Sequence, residues 1–175
     1  MRRPFTVAAV AGTAAHHSFE LGSGVGLVWQ PFMGLGGSLA YWSTSLPLLA
    51  LAASRGGERF AKPLAFATGT GLGGMAVHYS LWPFELRRGL PVLTEAEGLS
   101  PAQLPAYNTI LWAWGAACLL ALLFETPRRA RKWFLFGVLN AVPFRASAKH
   151  HFKWAREQAQ TNPSWWNRGL REQRT

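Results

Sequence analysis

One apolar stretch, residues 6–29, is interrupted at its middle by His16-His17-Ser18-Phe19-Glu20. That pattern constrains the chain more than any other feature in it. About 20 predominantly apolar residues in a helix cover a hydrocarbon core ~30 Å thick. Ionisable groups at such depth are costly, and they face a bundle interior, pair with one another or carry a function. The stretch therefore predicts a membrane-spanning helix whose polar centre marks the place to look for chemistry.

Three further segments read the same way, at residues 35–53, 63–84 and 109–124, each near spanning length. Charged residues make up only 15% of the chain, against roughly 25% in an average soluble domain. The expected fold is thus all-α: a polytopic bundle of four transmembrane helices over residues 1–127. Aromatic residues cluster at the segment ends, as an interfacial belt requires: Trp29, Phe32, Trp82, Phe84, Tyr107 and Trp112 at one level, Phe60 and Trp133 at the other. Residues 128–175 form a second, basic region. Arg128-Arg129-Ala130-Arg131-Lys132 leads into a twelve-residue apolar run, 133–144, too short to span. This predicts an interfacial amphipathic helix and a cytoplasmic tail, with Arg128, Arg129, Arg131, Lys132 and Trp133 contacting anionic lipid.

Orientation follows from positive charge. With both termini inside, Arg2, Arg3, Arg55, Arg59, Lys62 and the eleven Lys/Arg from Arg128 onward lie in the cytoplasm, and Arg87 and Arg88 lie outside, a split of 16 to 2. The expected location is a bacterial plasma membrane. The bacterial assignment rests on 14 Arg against 4 Lys with abundant Ala and Gly, a sign of GC-rich coding. A signal peptide cleaved after Thr13-Ala14-Ala15 is the competing reading of the first segment; the resumption of apolar sequence from Phe19 to Trp29 argues against it.

The outer loop, residues 85–108, is long enough to be a lid or a plug. Thr94-Glu95-Ala96-Glu97 has capping-box spacing and Gly98 is a natural stop, which predicts a short helical turn there. Ser100-Pro101 is read as the cap and first residue of an early start to the fourth helix. The lone Cys118 excludes an intramolecular disulfide and any CxxC site. No Walker A motif, dinucleotide fingerprint or HExxH occurs. The high pI does not indicate nucleic acid, because the basic residues sit where helix ends need them.

Depth along the helices, at 1.5 Å per residue, brings the polar residues together. Glu20 on the first helix and His78 on the third fall at the same level, and Ser43, Thr44 and Ser45 on the descending second helix reach it too. Tyr79 adjoins His78. His16 and Glu20 are four apart and His17 and Glu20 three apart, so either imidazole shares a face with the carboxylate. These residues are the candidate catalytic set (Glu20, His16, His17, His78) and ligand pocket (Ser43, Thr44, Ser45, Tyr79). Four readings stay open: a Glu–His pair that only locks helices in an accessory subunit of a membrane complex; a ligand or proton site; a divalent metal site; and b-type haem held by His16 or His17 with His78. The sequence names no cofactor and favours neither haem nor metal. It also does not decide whether the chain is an enzyme. The pairs Gly22/Gly26 and Gly69/Gly73 have the small-xxx-small spacing that permits close helix contact, within the chain or with a partner or second copy. Pro47 predicts a kink near Ser43-Thr44-Ser45.

Overall fold

In the computed structural model, which describes residues 2–171, the chain forms six α-helices and one β-hairpin. α1 (Pro4–Ser23) opens with proline in its first turn, where a missing N–H costs nothing. Its free N–H groups are met by a distant carboxylate. The two oxygens of Glu125 accept from the Phe5 N–H (2.6 Å), the Thr6 N–H (2.8 Å) and the Thr6 hydroxyl (2.7 Å). A negative charge there complements the helix dipole. α1 runs unbroken through the candidate cleavage site. It ends six residues short of Trp29, because Gly24 adopts a left-handed φ of 80° and turns the chain. Residues 24–29 fold back over the helix end, burying Val25 and Leu27.

α2 (Gln30–Arg55) contains Pro47, but the backbone leaves helical angles at Gly34 (φ 70°, ψ 176°), an extended conformation open to glycine. α3 (Ala61–Leu81) and α4 (Leu104–Leu120) follow, and the last turn of α4 widens to π-type hydrogen bonding over Ala121–Glu125. That end of α4 carries Glu125 to the start of α1.

The C-terminal third departs from expectation. α5 (Arg131–Val138) is not a helix on a surface but packs along α3 more extensively than any other pair of elements does. Glycines make this possible. A Cβ at Gly69 would collide with the Phe134 carbonyl, one at Gly73 with the Val138 carbonyl, and one at Gly137 with the Phe66 carbonyl. Removing three side chains lets two backbones touch. Phe134 is buried as a result. The Gly69/Gly73 pattern therefore works as expected, against an unexpected partner. Gly22/Gly26 does not: Gly22 faces open space and Gly26 lies outside the helix.

α6 (Ala141–Thr161) continues in the same direction beside α3, with Asn140 bonding Thr70 and Arg145 reaching the Ser80 carbonyl. A short 3-10 turn, Trp165–Leu170, then docks on the C-terminal end of α1, where Gly169 N–H donates to the Gly24 carbonyl (3.1 Å) and Arg168 reaches the Gly22 carbonyl. At the other end of the bundle, Arg3 bonds the Gly57 carbonyl and Arg129 pairs with Glu58. The two ends of the described chain thus lie at opposite ends of the bundle. The expectation of a separate tail, on the same side as the N-terminus, fails for the described residues; its last four residues lie outside them.

The long loop also differs from expectation. It holds an antiparallel hairpin, β1 (Phe84–Arg87) and β2 (Leu90–Leu93), closed by Arg88-Gly89 with positive φ at both residues. Thr94–Gly98 forms turns instead of a helix. Trp112 donates to the Pro91 carbonyl, and Asn108 brackets Leu93 with two hydrogen bonds, so the hairpin is fixed to α4. α4 starts at Leu104, with Gln103 accepting from Ser100 N–H and hydroxyl. Among the described residues, one helix, Leu104–Glu125, is long and apolar enough to cross a membrane. The Gly, Ser, Thr and His content of the other long helices lowers their mean hydropathy, so a four-span bundle is not established by length and composition.

Candidate functional site

Glu20 lies buried near the end of α1 with three imidazoles and a phenol around it. The Tyr107 hydroxyl, from the first turn of α4, donates to Glu20 Oε1 at 2.7 Å. His16 Nε2 lies 3.3 Å from Oε2, the i,i+4 neighbour on the same face. His17 Nδ1 stands 3.9 Å from Oε2, and His78 Nε2, reaching across from α3, stands 3.8 Å from Oε1. The level assigned to Glu20 and His78 from helix geometry is thus the level at which they meet.

The rings are held from behind. His78 Nδ1 lies 2.9 Å from the Gly74 carbonyl and 3.1 Å from that of Met75. Carbonyls only accept, so Nδ1 carries the proton and Nε2 presents a lone pair to Glu20 when the ring is neutral. His16 stacks on Trp114 (centroids 5.1 Å, 23°), and His17 lies against Trp42 (4.0 Å). Small residues make room: Gly71 and Gly74 both face the Trp114 ring, and Gly12 faces its Cβ.

The cluster forms one wall of a cavity of about 270 Å³ between α1, α2, α3, α4 and α6. The remaining walls are mainly apolar and aromatic, including Trp42, Leu49, Ala67, Trp114 and Phe144. Apolar walls with a few convergent polar groups are the usual composition of a small-molecule site. Part of the lining, Tyr41 and Phe66, is also exposed on the outer surface of α2 and α3. The cavity therefore opens sideways where those two helices stand apart.

Of the residues expected to line a pocket, Ser45 does so, and its hydroxyl is buried without a hydrogen-bond partner. Ser43 and Thr44 are exposed, with Ser43 bonded to the Ala40 carbonyl, and Tyr79 lies off the cavity against Phe84. A helix turns 100° per residue, so three successive hydroxyls cannot all face inward. Tyr107 was expected at the interfacial belt and is instead 1% exposed, bonded to Glu20; a tyrosine at the depth of a buried carboxylate was the available signal. Trp42 and Trp114 had no distinguishing signal among nine tryptophans.

His151 falls in the region expected to be a cytoplasmic tail. It is buried at the rim of the cavity, outside the apolar spanning segments, with Nε2 3.0 Å from the Val25 carbonyl. Desolvation holds this imidazole below its ordinary pKa, although the Val25 carbonyl favours the cation. Its neighbours Phe152 and Trp154 are likewise committed to the fold, on Trp82 and Trp166.

Haem does not fit between His16 and His78. The His16 and His78 rings are edge to face with centroids 4.8 Å apart, and both aim at Glu20, leaving no slab for a macrocycle. A single ion fits better: the ligand atoms of His16, His17 and Glu20 all lie within 4.8 Å of one another. No known protein family, curated protein or solved structure matches this chain.

Proposed function

We propose that this chain is a small multi-pass membrane protein that binds a ligand in the cavity, with the His/Glu cluster as its polar, proton-exchanging end. One observation carries the reading: a buried carboxylate, with a phenol and three imidazoles around it, faces an otherwise apolar cavity rather than being packed over. Glu20 and a histidine are suited to pass a proton to or from a bound group, the geometry general acid–base chemistry needs.

Membrane residence is supported by large apolar side chains left exposed along the bundle. Phe32 and Leu48 on α2, Phe124 beyond α4, and Leu135, Leu139 and Val142 on α5 and α6 are each 59–73% exposed. Exposed apolar side chains of this size suit contact with lipid or another protein. The exposed Arg128, Arg131 and Lys132 beside Trp133 suit anionic headgroups at one end, while Arg129 is engaged by Glu58. The expectation that both termini are cytoplasmic is not retained. With α6 running to the opposite end, the Lys and Arg among the described residues divide into nine at the N-terminal end (Arg2, Arg3, Arg55, Arg59, Lys62, Arg128, Arg129, Arg131, Lys132) and eight at the other. The charge asymmetry that fixed orientation disappears. Single cysteines at positions 57 and 171, in a Cys118→Ser background, should label from opposite faces of a membrane; labelling from one face would overturn this arrangement.

The ligand reading is tested by extracting the protein, purified in mild detergent, and identifying bound small molecules by mass spectrometry. Wild type should carry one that Ala67→Trp, which fills the cavity, excludes. A clean wild-type extract would favour the second reading, that Glu20 only locks α1 to α4 through Tyr107. In that case Glu20→Gln should abolish assembly, whereas the ligand reading expects an assembled bundle.

A further inference from the structure

We propose that His16, His17, Glu20 and His78 bind a divalent metal ion of the zinc class at the inner wall of the cavity. This rests on the ligand-site reading above and names what the polar end of that site holds. The distances are the reason. His17 Nδ1 and His78 Nε2 stand 3.9 and 3.8 Å from the carboxylate oxygens of Glu20. That is too long for hydrogen bonds, yet the ligand atoms of His16, His17 and Glu20 all lie within 4.8 Å of one another, and His78 Nε2 faces the second oxygen of the same carboxylate. Metal–nitrogen and metal–oxygen bonds to zinc are about 2.0–2.2 Å. Two ligands of one ion therefore stand about 3.3–3.6 Å apart at a tetrahedral angle. The 3.3 Å separation of His16 from Glu20 matches, and His17 and His78, at 3.9 and 3.8 Å, need to close by a few tenths of an ångström.

The groups around the cluster orient it in the way metal ligands are oriented. A ligating histidine almost always donates its other ring N–H to a carbonyl or carboxylate, and a ligating carboxylate is itself hydrogen-bonded. His78 donates Nδ1–H to the Gly74 and Met75 carbonyls, leaving Nε2 free, and Tyr107 donates to Glu20. Backbone carbonyls and a phenol supply this support in place of carboxylates. Three imidazoles and one carboxylate suit zinc and its neighbours rather than magnesium or calcium, which prefer oxygen ligands. His17 Nδ1, which faces Glu20, is buried without a hydrogen-bond partner, and an ion there would take its lone pair. The cluster borders the cavity, so an ion there can exchange a ligand position with a molecule in it.

The test is metal analysis of the full chain purified in detergent without chelator, then removal of metal with a chelator and titration with Zn²⁺ and Co²⁺. Wild type should hold about one ion per chain, give the intense visible bands of tetrahedral Co²⁺, and melt at higher temperature with Zn²⁺. His16→Gln and His78→Gln should each weaken binding at least tenfold. His150→Gln, at an exposed histidine off the cavity, should leave it unchanged. Gly74→Ala serves where a ligand variant fails to fold: it presses a methyl on the Trp114 ring that stacks on His16 while keeping all four ligands, and should shift the Co²⁺ bands. Folded wild type that shows neither stoichiometric zinc nor Co²⁺ bands would overturn the metal site. In that event a small molecule retained by wild type and lost from Ala67→Trp would leave the ligand reading standing, and its absence would remove both.

Discussion

The two flanks of α3 use small residues to opposite ends. On one flank, Gly69 and Gly73 meet Gly137 and the carbonyls of α5, and the helices close until backbone touches backbone. On the other, Gly71 and Gly74 open a shelf for the Trp114 ring, α2 stands off, and a cavity remains with the His/Glu cluster on its wall. The same residue type, one or two positions on, produces a dry seam or a chamber. What differs is the facing element: a helix that itself carries a glycine, or one that presents a tryptophan. Small-residue spacing alone therefore predicts closeness to something, not helix contact.

The dry seam should be the most sensitive part of the molecule. Gly69→Leu or Gly137→Leu places a side chain into a carbonyl that cannot rotate away, and should cost about 3 kcal/mol or more. Loss of a monodisperse peak in detergent would register it, and Gly22→Leu, at a position facing open space, should be tolerated. On the chamber side, Ala67→Leu adds volume where there is room and should change stability by less than about 1 kcal/mol in a thermal melt. A loss equal to that of Gly69→Leu would mean the chamber is as tightly packed as the seam, and the contrast would fall.

Acid should act on the chamber before the seam, because its rim holds a buried histidine. His151 is held below its ordinary pKa in the folded chain, so the unfolded chain takes up the proton first as pH falls. Its contribution is complete above about pH 6.5, the unfolded value, and is lost progressively below it. The melting temperature of wild type should therefore fall with acidification more steeply than that of His151→Gln; parallel curves would remove His151 from the account. The smallest effect is expected at the Glu97–Arg156 pair, which joins the loop to α6 with Arg156 about half exposed. Arg156→Ala should cost under about 1 kcal/mol, and less in high salt.

Helices and site were legible to different degrees. The four apolar segments appear as α1 to α4 because blocks of apolar sequence need a helix whether the surroundings are lipid or protein. The meeting of Glu20 and His78 followed from counting turns, since helical rise is fixed. The hairpin was not read, although Phe84-Glu85-Leu86-Arg87 and Leu90-Pro91-Val92-Leu93 flank a two-residue Arg-Gly turn. The alternation is weak and Pro91 argues against a strand interior. The greatest departure concerned α5 and α6. Basic residues after Pro127 were assigned to a surface by charge, yet Gly137 and Phe134 were already a contact face. Charge near a helix end reports on that end only, and the direction of the next helix depends on packing that no local composition records.

The docking of the Trp165–Leu170 turn onto Gly24 has a consequence for how the protein is made. Phe144, Ala148, His151 and Phe152 complete the chamber's wall, and the turn that clasps α6 to α1 is formed from residues still further along the chain. Synthesis runs from the N-terminus, so α1 to α4 leave the ribosome while that wall is missing. Whatever the chamber encloses is therefore either taken up through an open side during biogenesis or admitted later between α2 and α3. A protein truncated after Val138 would have every residue of the His/Glu cluster and Tyr107, yet no chamber to set them in.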